Sequence, residues 1–159
     1  MKALVLTHYN QFELLDVPLP DIQPGEVLVR VEAVGICGSD VHGMDGSTGR
    51  RIPPLIMGHE AAGVIEATGP GVSEWKPGDR VTFDSTIYRL EDWYSRKGMY
   101  NLSDNRMVLG VSCPEFKREG AFAEYMAVPQ HILYKIPDGV PFVYAAMTEP
   151  VAVALHALN

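Results

Sequence analysis

Residues 26–34 read Glu-Val-Leu-Val-Arg-Val-Glu-Ala-Val, with charged and apolar side chains in near alternation. A period of two puts every second side chain on one face, which predicts a strand buried on one side. Similar short runs predict strands over residues 2–6 and 12–15, around a polar turn at His8-Tyr9-Asn10-Gln11, and over 61–68, 80–83, 122–128 and 132–136. Pro18, Pro20, Pro24-Gly25, Gly69-Pro70-Gly71 and Pro77-Gly78-Asp79 separate these runs, because Pro and Gly interrupt regular structure. Short strands at turn-separated intervals predict a closed or nearly closed β barrel. Only residues 141–159, rich in Ala, Met, Val and Leu, read as a helix, with Pro141 suited to its start. Met147, Val151, Ala154, Leu155 and Leu158 make an apolar face on that helix, and such a face calls for a partner. The expectation is a homo-oligomer through this C-terminal helix.

The chain has 159 residues, enough for one domain with a real core and short for two. Its 15 glycines and 12 prolines favour short strands and turns over long helices. The net charge of −7 is the wrong sign for a nucleic-acid or anionic-membrane surface, so neither is expected as a partner. No apolar stretch approaches the length of a membrane span, and the N-terminus lacks the pattern of a signal peptide. Two cysteines in different settings make no disulfide framework, and a cytoplasmic location is expected.

The candidate chemistry lies in two pieces, Gly35-Ile36-Cys37-Gly38-Ser39-Asp40-Val41-His42 and Gly58-His59-Glu60. Cys37 alone would read as a buried free thiol, since cysteine packs as a small hydrophobe. Thiolate, imidazole and carboxylate together suit a catalytic zinc with an open coordination position. Cys113, in Gly110-Val111-Ser112-Cys113-Pro114, reads as a buried thiol, and His8, His131 and His156 as structural or surface groups.

The run Gly-His-Glu-Ala-Ala-Gly-Val-Ile-Glu-Ala-Thr-Gly-Pro-Gly-Val, residues 58–72, resembles the signature of the zinc-containing alcohol dehydrogenases of the medium-chain dehydrogenase/reductase family. Lys76-Pro77-Gly78-Asp79-Arg80-Val81, Gly120-Ala121-Phe122-Ala123-Glu124-Tyr125 and Glu149-Pro150-Val151-Ala152-Val153-Ala154-Leu155-His156-Ala157 extend the likeness over essentially the whole chain. Glu60 after the His, with Glu149-Pro150, is most similar to the sorbitol and threonine dehydrogenase branch. The resemblance implies a mainly β fold with a few helices: a GroES-like β barrel over residues 1–159, its C-terminal helix leading toward a Rossmann domain that is absent. It implies one catalytic Zn²⁺ held by Cys37 and His59 with a carboxylate from Glu60 or Glu149. Asp40 is then the candidate to orient the second nitrogen of His59, and Ser39 and His42 match the family's proton relay. A small alcohol or polyol is the implied substrate, and NAD(P) the cofactor of the full-length parent.

One stretch departs from the family. Many members carry a lobe with a structural zinc held by four cysteines, and Arg89, Asp92, Ser95 and Ser103 fall at the corresponding positions here. Residues 88–103 are therefore expected to be a former structural-zinc lobe without metal, loosely ordered, with an Arg89–Asp92 ion pair as a substitute for the metal clip. No Gly-x-Gly-x-x-Gly follows a strand, so no nucleotide-binding domain is expected within the chain. The expectation is the catalytic domain of an NAD(P)-dependent alcohol or polyol dehydrogenase, a fragment with little turnover of its own. Two alternatives remain at this point: a truncated or engineered metal-binding barrel without dehydrogenase turnover, and a metal-free chaperonin-10-like structural module.

Overall fold

The computed structural model of the chain describes residues 1–111 and 117–158, so Cys113 lies outside the described residues. In chain order the elements are β1 (Lys2–His8), β2 (Gln11–Asp16), β3 (Glu26–Val34), α1 (Gly38–Gly43), β4 (Leu55–Ile56), β5 (Ala61–Thr68), β6 (Arg80–Phe83), β7 (Thr86–Ile87), α2 (Trp93–Arg96), β8 (Met107–Val108), β9 (Tyr125–Pro129), β10 (Leu133–Lys135), α3 (Phe142–Ala145) and α4 (Thr148–Leu158). No helix among the described residues is long and apolar enough to cross a membrane.

β3 alternates as its sequence predicts: Val27 and Val29 face the core while Arg30 and Glu32 point outward to pair with one another. With both ladder edges filled, it lies inside a five-stranded antiparallel sheet of order β10-β6-β5-β3-β9. Ile65, Val81, Phe83, Met126, Val128, Ile132 and Leu133 complete that core. A second sheet, β2-β1-β4, buries Leu6, Leu55 and Met57 against Phe12, Met44 and Phe122. The fold is mainly β, and among the described residues its strands do not close into a complete barrel. The two sheets meet at residues 122–128, expected as one strand. Phe122 and Glu124 pair with Leu4 and Lys2 of β1, while the Glu124 carbonyl already accepts from Val31 of β3 (2.9 Å) and the chain runs on along β3 as β9. One segment thus serves both sheets at a corner, the way strands switch between packed sheets.

The expected C-terminal helix is two helices. Pro150 has no N–H for the Ala146 carbonyl four residues back, and its ring crowds that carbonyl. α3 therefore ends at Ala145 and α4 begins afresh at Thr148. Ala145 and Ala146 pack with Ala62 and Ile136, whereas α4 has no buried residue.

In residues 88–103 the Arg89–Asp92 ion pair does not form. The Asp92 carboxylate caps α2 instead, accepting from the amides of Tyr94 (2.8 Å) and Ser95 (3.2 Å). The Asp92 amide donates to the Arg89 carbonyl (3.2 Å), and the fully buried Ser103 hydroxyl accepts from the Arg89 amide (3.1 Å). Hydrogen bonds thus tie Arg89, Asp92 and Ser103 together where the family resemblance puts thiolates, whereas Ser95 joins through its amide alone and its buried hydroxyl has no partner among the described residues. The Tyr88 ring seats this lobe on the sheets, meeting Tyr100 at 4.9 Å and the edge of His131 at 4.8 Å.

His131 Nε2 lies 3.0 Å from the Tyr88 carbonyl. Burial holds the His131 pKa below its ordinary value, and the carbonyl only partly offsets this. Between that depressed pKa and the unfolded value of about 6.5, the unfolded chain binds more protons, so stability rises with pH in that window. Stability should consequently fall as pH drops below about 6.5 and level off below the folded-state pKa. His131→Asn should flatten this arm in urea titrations. Parallel pH profiles for the two proteins would refute the assignment.

Candidate metal centre

β3 and β5 pair antiparallel, with Val34 opposite Ala61 at one end. Whatever follows β3 must therefore face whatever precedes β5. This register brings Cys37, on the way out of β3, to His59 and Glu60, on the way into β5. The Gly35 amide extends the contact by donating to the Glu60 carbonyl at 2.7 Å. A Cβ at Gly35 would lie 2.4 Å from Glu60 Oε2, so glycine leaves the room the carboxylate fills. Gly58 turns the chain at φ +94°, and a Cβ there would strike the Phe122 ring at 2.7 Å.

Cys37 is the N-cap of α1. Its Sγ accepts from the Ser39 amide at 3.4 Å, and Asp40 reaches back to the Cys37 amide at 3.3 Å, completing a capping box. This short helix was not predicted, because the capping pattern is sought with Ser or Thr at its first position and here sulfur takes that role.

One ligand atom each from Cys37, His59 and Glu60 lies within 4.8 Å of the other two. Among the described residues no other group of three such side chains is this close. His59 and Glu60 are buried, each 7% exposed, and Cys37 is half-buried. His59 Nε2 is 3.5 Å from Ser39 Oγ, while Nδ1 lies 3.6 Å from Asp40 Oδ1 and has no hydrogen-bond partner. Ser39 Oγ is also 3.3 Å from Cys37 Sγ. This is a donor set for a borderline-soft divalent metal: sulfur, nitrogen and oxygen converging, with a carboxylate beside the far ring nitrogen.

Glu149 stands outside that trio yet feels it. Burial raises the Glu149 pKa above the usual carboxylate range; His59 pulls it down, Glu60 and Asp84 push it up, and a hydrogen bond with Ser85 lowers it. Of the two expected relay residues, Ser39 lies against Cys37 and His59 and His42 follows one turn along α1; both are exposed, with no hydrogen bond between them. The sequence reading missed Arg51. It is 5% exposed and pairs with Asp40, its Nη2 3.3 Å from Oδ1. Beside Arg50 in a proline-rich loop it carries no local sign of burial. Ser85, against Glu149, was missed as well, because nothing beside it between β6 and β7 points to a partner so distant in sequence.

Residues 23–138 match the alcohol dehydrogenase GroES-like domain family. The sorbitol dehydrogenase of Bacillus subtilis (strain 168) is 37% identical over 160 residues, covering 99% of this chain and 44% of that protein. The L-threonine 3-dehydrogenase of Pyrococcus horikoshii is 38% identical over 149 residues, covering 92% of this chain and 41% of the relative. The galactitol-1-phosphate dehydrogenase of Escherichia coli superposes with a TM-score of 0.90 at 30% identity, over 99% of this chain and 44% of that structure. The chain thus spans less than half the length of these relatives. On the family match and the shared fold, the chain belongs to the alcohol dehydrogenase GroES-like domain family.

Proposed function

We propose that this chain is the zinc-holding catalytic domain of an NAD(P)-dependent alcohol or polyol dehydrogenase. The observation that carries the reading is the convergence of Cys37, His59 and Glu60 within 4.8 Å. Cys37 would bind as thiolate, His59 through Nε2 and Glu60 through its carboxylate, with Glu149 at hand as a further acid. Asp40 would orient His59 from the Nδ1 side. When bound, zinc supplies a Lewis acid that polarises the alcohol oxygen, and NAD(P), in a longer parent chain, takes up the hydride.

The chain's own part is to bind, to exclude water and to move a proton. Ser39 Oγ lies against both Cys37 and His59, where a hydroxyl can take the alcohol proton. His42, three residues along α1, is on the same side of the helix and open to solvent. A water or a ligand hydroxyl completes the step between them, and an imidazole suits release near neutral pH. The dehydrogenase names of the relatives support an alcohol or polyol substrate. Elemental analysis of the purified chain tests the reading: one zinc per chain supports it, and a chain without metal after zinc loading overturns it.

The reading includes homo-oligomerisation through α4. Met147, Val151, Leu155 and Leu158 are all exposed, Leu158 at 85%, and apolar surface of this kind favours a partner. Light scattering over a concentration series should show dimers, and a monomer throughout would remove this part of the proposal.

A further inference from the structure

Arg50 is exposed, but Arg51 beside it is almost wholly buried. Burying a guanidinium is unfavourable unless partners compensate for the lost water. Among the described residues its side-chain partners belong to the metal centre: its Nη2 lies 3.3 Å from Asp40 Oδ1 and 3.3 Å from Ser39 Oγ, while its buried Nε has none. Its stem fills the space left by Gly43 at the end of α1, where a Cβ would come within 2.6 Å of Arg51 Cγ. The arginine therefore reaches over α1 and holds two consecutive residues of its first turn.

We propose that Arg51 is a positioning residue of the metal centre, fixing Asp40 and Ser39 so that His59 presents Nε2 to the metal and the metal is held firmly. The proposal rests on the reading of Cys37, His59 and Glu60 as metal ligands. Asp40 is the hub of the arrangement. One carboxylate oxygen accepts from the Cys37 amide; the other lies between Arg51 and the unpartnered Nδ1 of His59. Held by Arg51, that oxygen cannot turn away from the ring, and Nδ1 has a place to donate when the ring settles on a metal. The second contact acts on Ser39. A guanidinium only donates, so it occupies a lone pair of the Ser39 hydroxyl, whose oxygen it holds 3.3 Å from Cys37 Sγ. Arg51 thus orders the thiolate side and the imidazole side of the centre while touching neither.

The test uses the 159-residue chain and its R51M, R51Q, R51K, D40N and R51M/D40N variants. Zinc affinity is read by competition with a chromophoric chelator, and ligand geometry by the visible bands of the cobalt-substituted protein. R51M should bind zinc about 10- to 100-fold more weakly with altered cobalt bands, and R51K should recover much of both. Because Arg51 acts through Asp40, the double variant should bind zinc no more weakly than D40N alone. A merely structural arginine would lower the denaturation midpoint of the metal-free protein while leaving affinity and cobalt bands as in the parent; that result overturns the proposal. If R51M does not fold, R51Q carries the same test, and parental affinity and bands in R51Q overturn it equally. A parent chain that takes up neither zinc nor cobalt fails at the earlier step, and the metal-centre reading falls with it. A parent that binds both, beside an indifferent R51M, refutes Arg51 alone.

Discussion

Cys37→Ser will leave the zinc-loaded chain with less than about a tenth of the parent's metal, because a hydroxyl replaces the strongest of three ligands. A thiolate forms readily beside a divalent cation, since a free thiol's ordinary pKa of about 8.5 is low enough for a bound metal to drive off the proton. A serine hydroxyl starts far higher and offers a weak neutral oxygen. The usual objection, that the variant has simply unfolded, can be answered in advance. Cys37 caps α1 by accepting from the Ser39 amide, with Asp40 reciprocating on the Cys37 amide. Serine is among the best residues for that position. The metal-free variant should therefore melt within about 1 kcal/mol of the metal-free parent, as a retained cap allows. Elemental analysis reads the first expectation and thermal denaturation the second. Full zinc content in the variant would remove Cys37 from the ligand set, and a large loss of stability in the metal-free state would make the zinc loss uninformative about ligation.

Gly63→Ala should destabilise the fold by about 3 kcal/mol, the upper range for overpacking a rigid interior. Alanine normally stabilises a strand relative to glycine by about 0.5–1 kcal/mol, so the sign is set by tertiary structure. Gly63 lies in β5 opposite Val31 of β3 and Val81 of β6, within the five-stranded sheet. A Cβ there would fall 2.1 Å from the Arg30 carbonyl oxygen and 2.8 Å from Val29 Cγ1. The first obstacle is backbone, and β3 cannot retreat because β9 is bonded to its other edge. Gly38→Ala provides the contrast, since a Cβ at Gly38 meets nothing within 4 Å; its effect should stay within about 1 kcal/mol. Urea titration of the metal-free proteins measures both. Equal losses at the two positions would show that the contact at Gly63 relaxes without cost.

The pattern of short apolar runs between Pro/Gly turns was enough to place β3, β5 and β6, although only β3 alternates along its length. It failed at residues 122–128, where the apolar pattern runs on but the hydrogen-bonding partner changes from β1 to β3. Periodicity records which side is buried, and says nothing of which neighbour fills the edge. The helix over residues 141–159 was legible as helical; its interruption followed from Pro150, whose demand on Ala146 four residues earlier is a local rule that could have been applied. α1 was missed because sulfur replaced oxygen at its cap.

What the sequence by itself determined is the ligand chemistry and the strand period. Cys37, His59 and Glu60 are the right kinds of donor, and their flanking motifs carry the family likeness. Their convergence was decided by tertiary structure. The cysteine is more than twenty positions from the other two, and only the β3–β5 register sets the ends of those strands side by side. The same holds for Arg51. Its side chain reads as surface from its neighbours, because burial of a charge depends on partners distant in sequence. Asp40 and Ser39 become those partners once α1 has folded over the space that Gly43 leaves open.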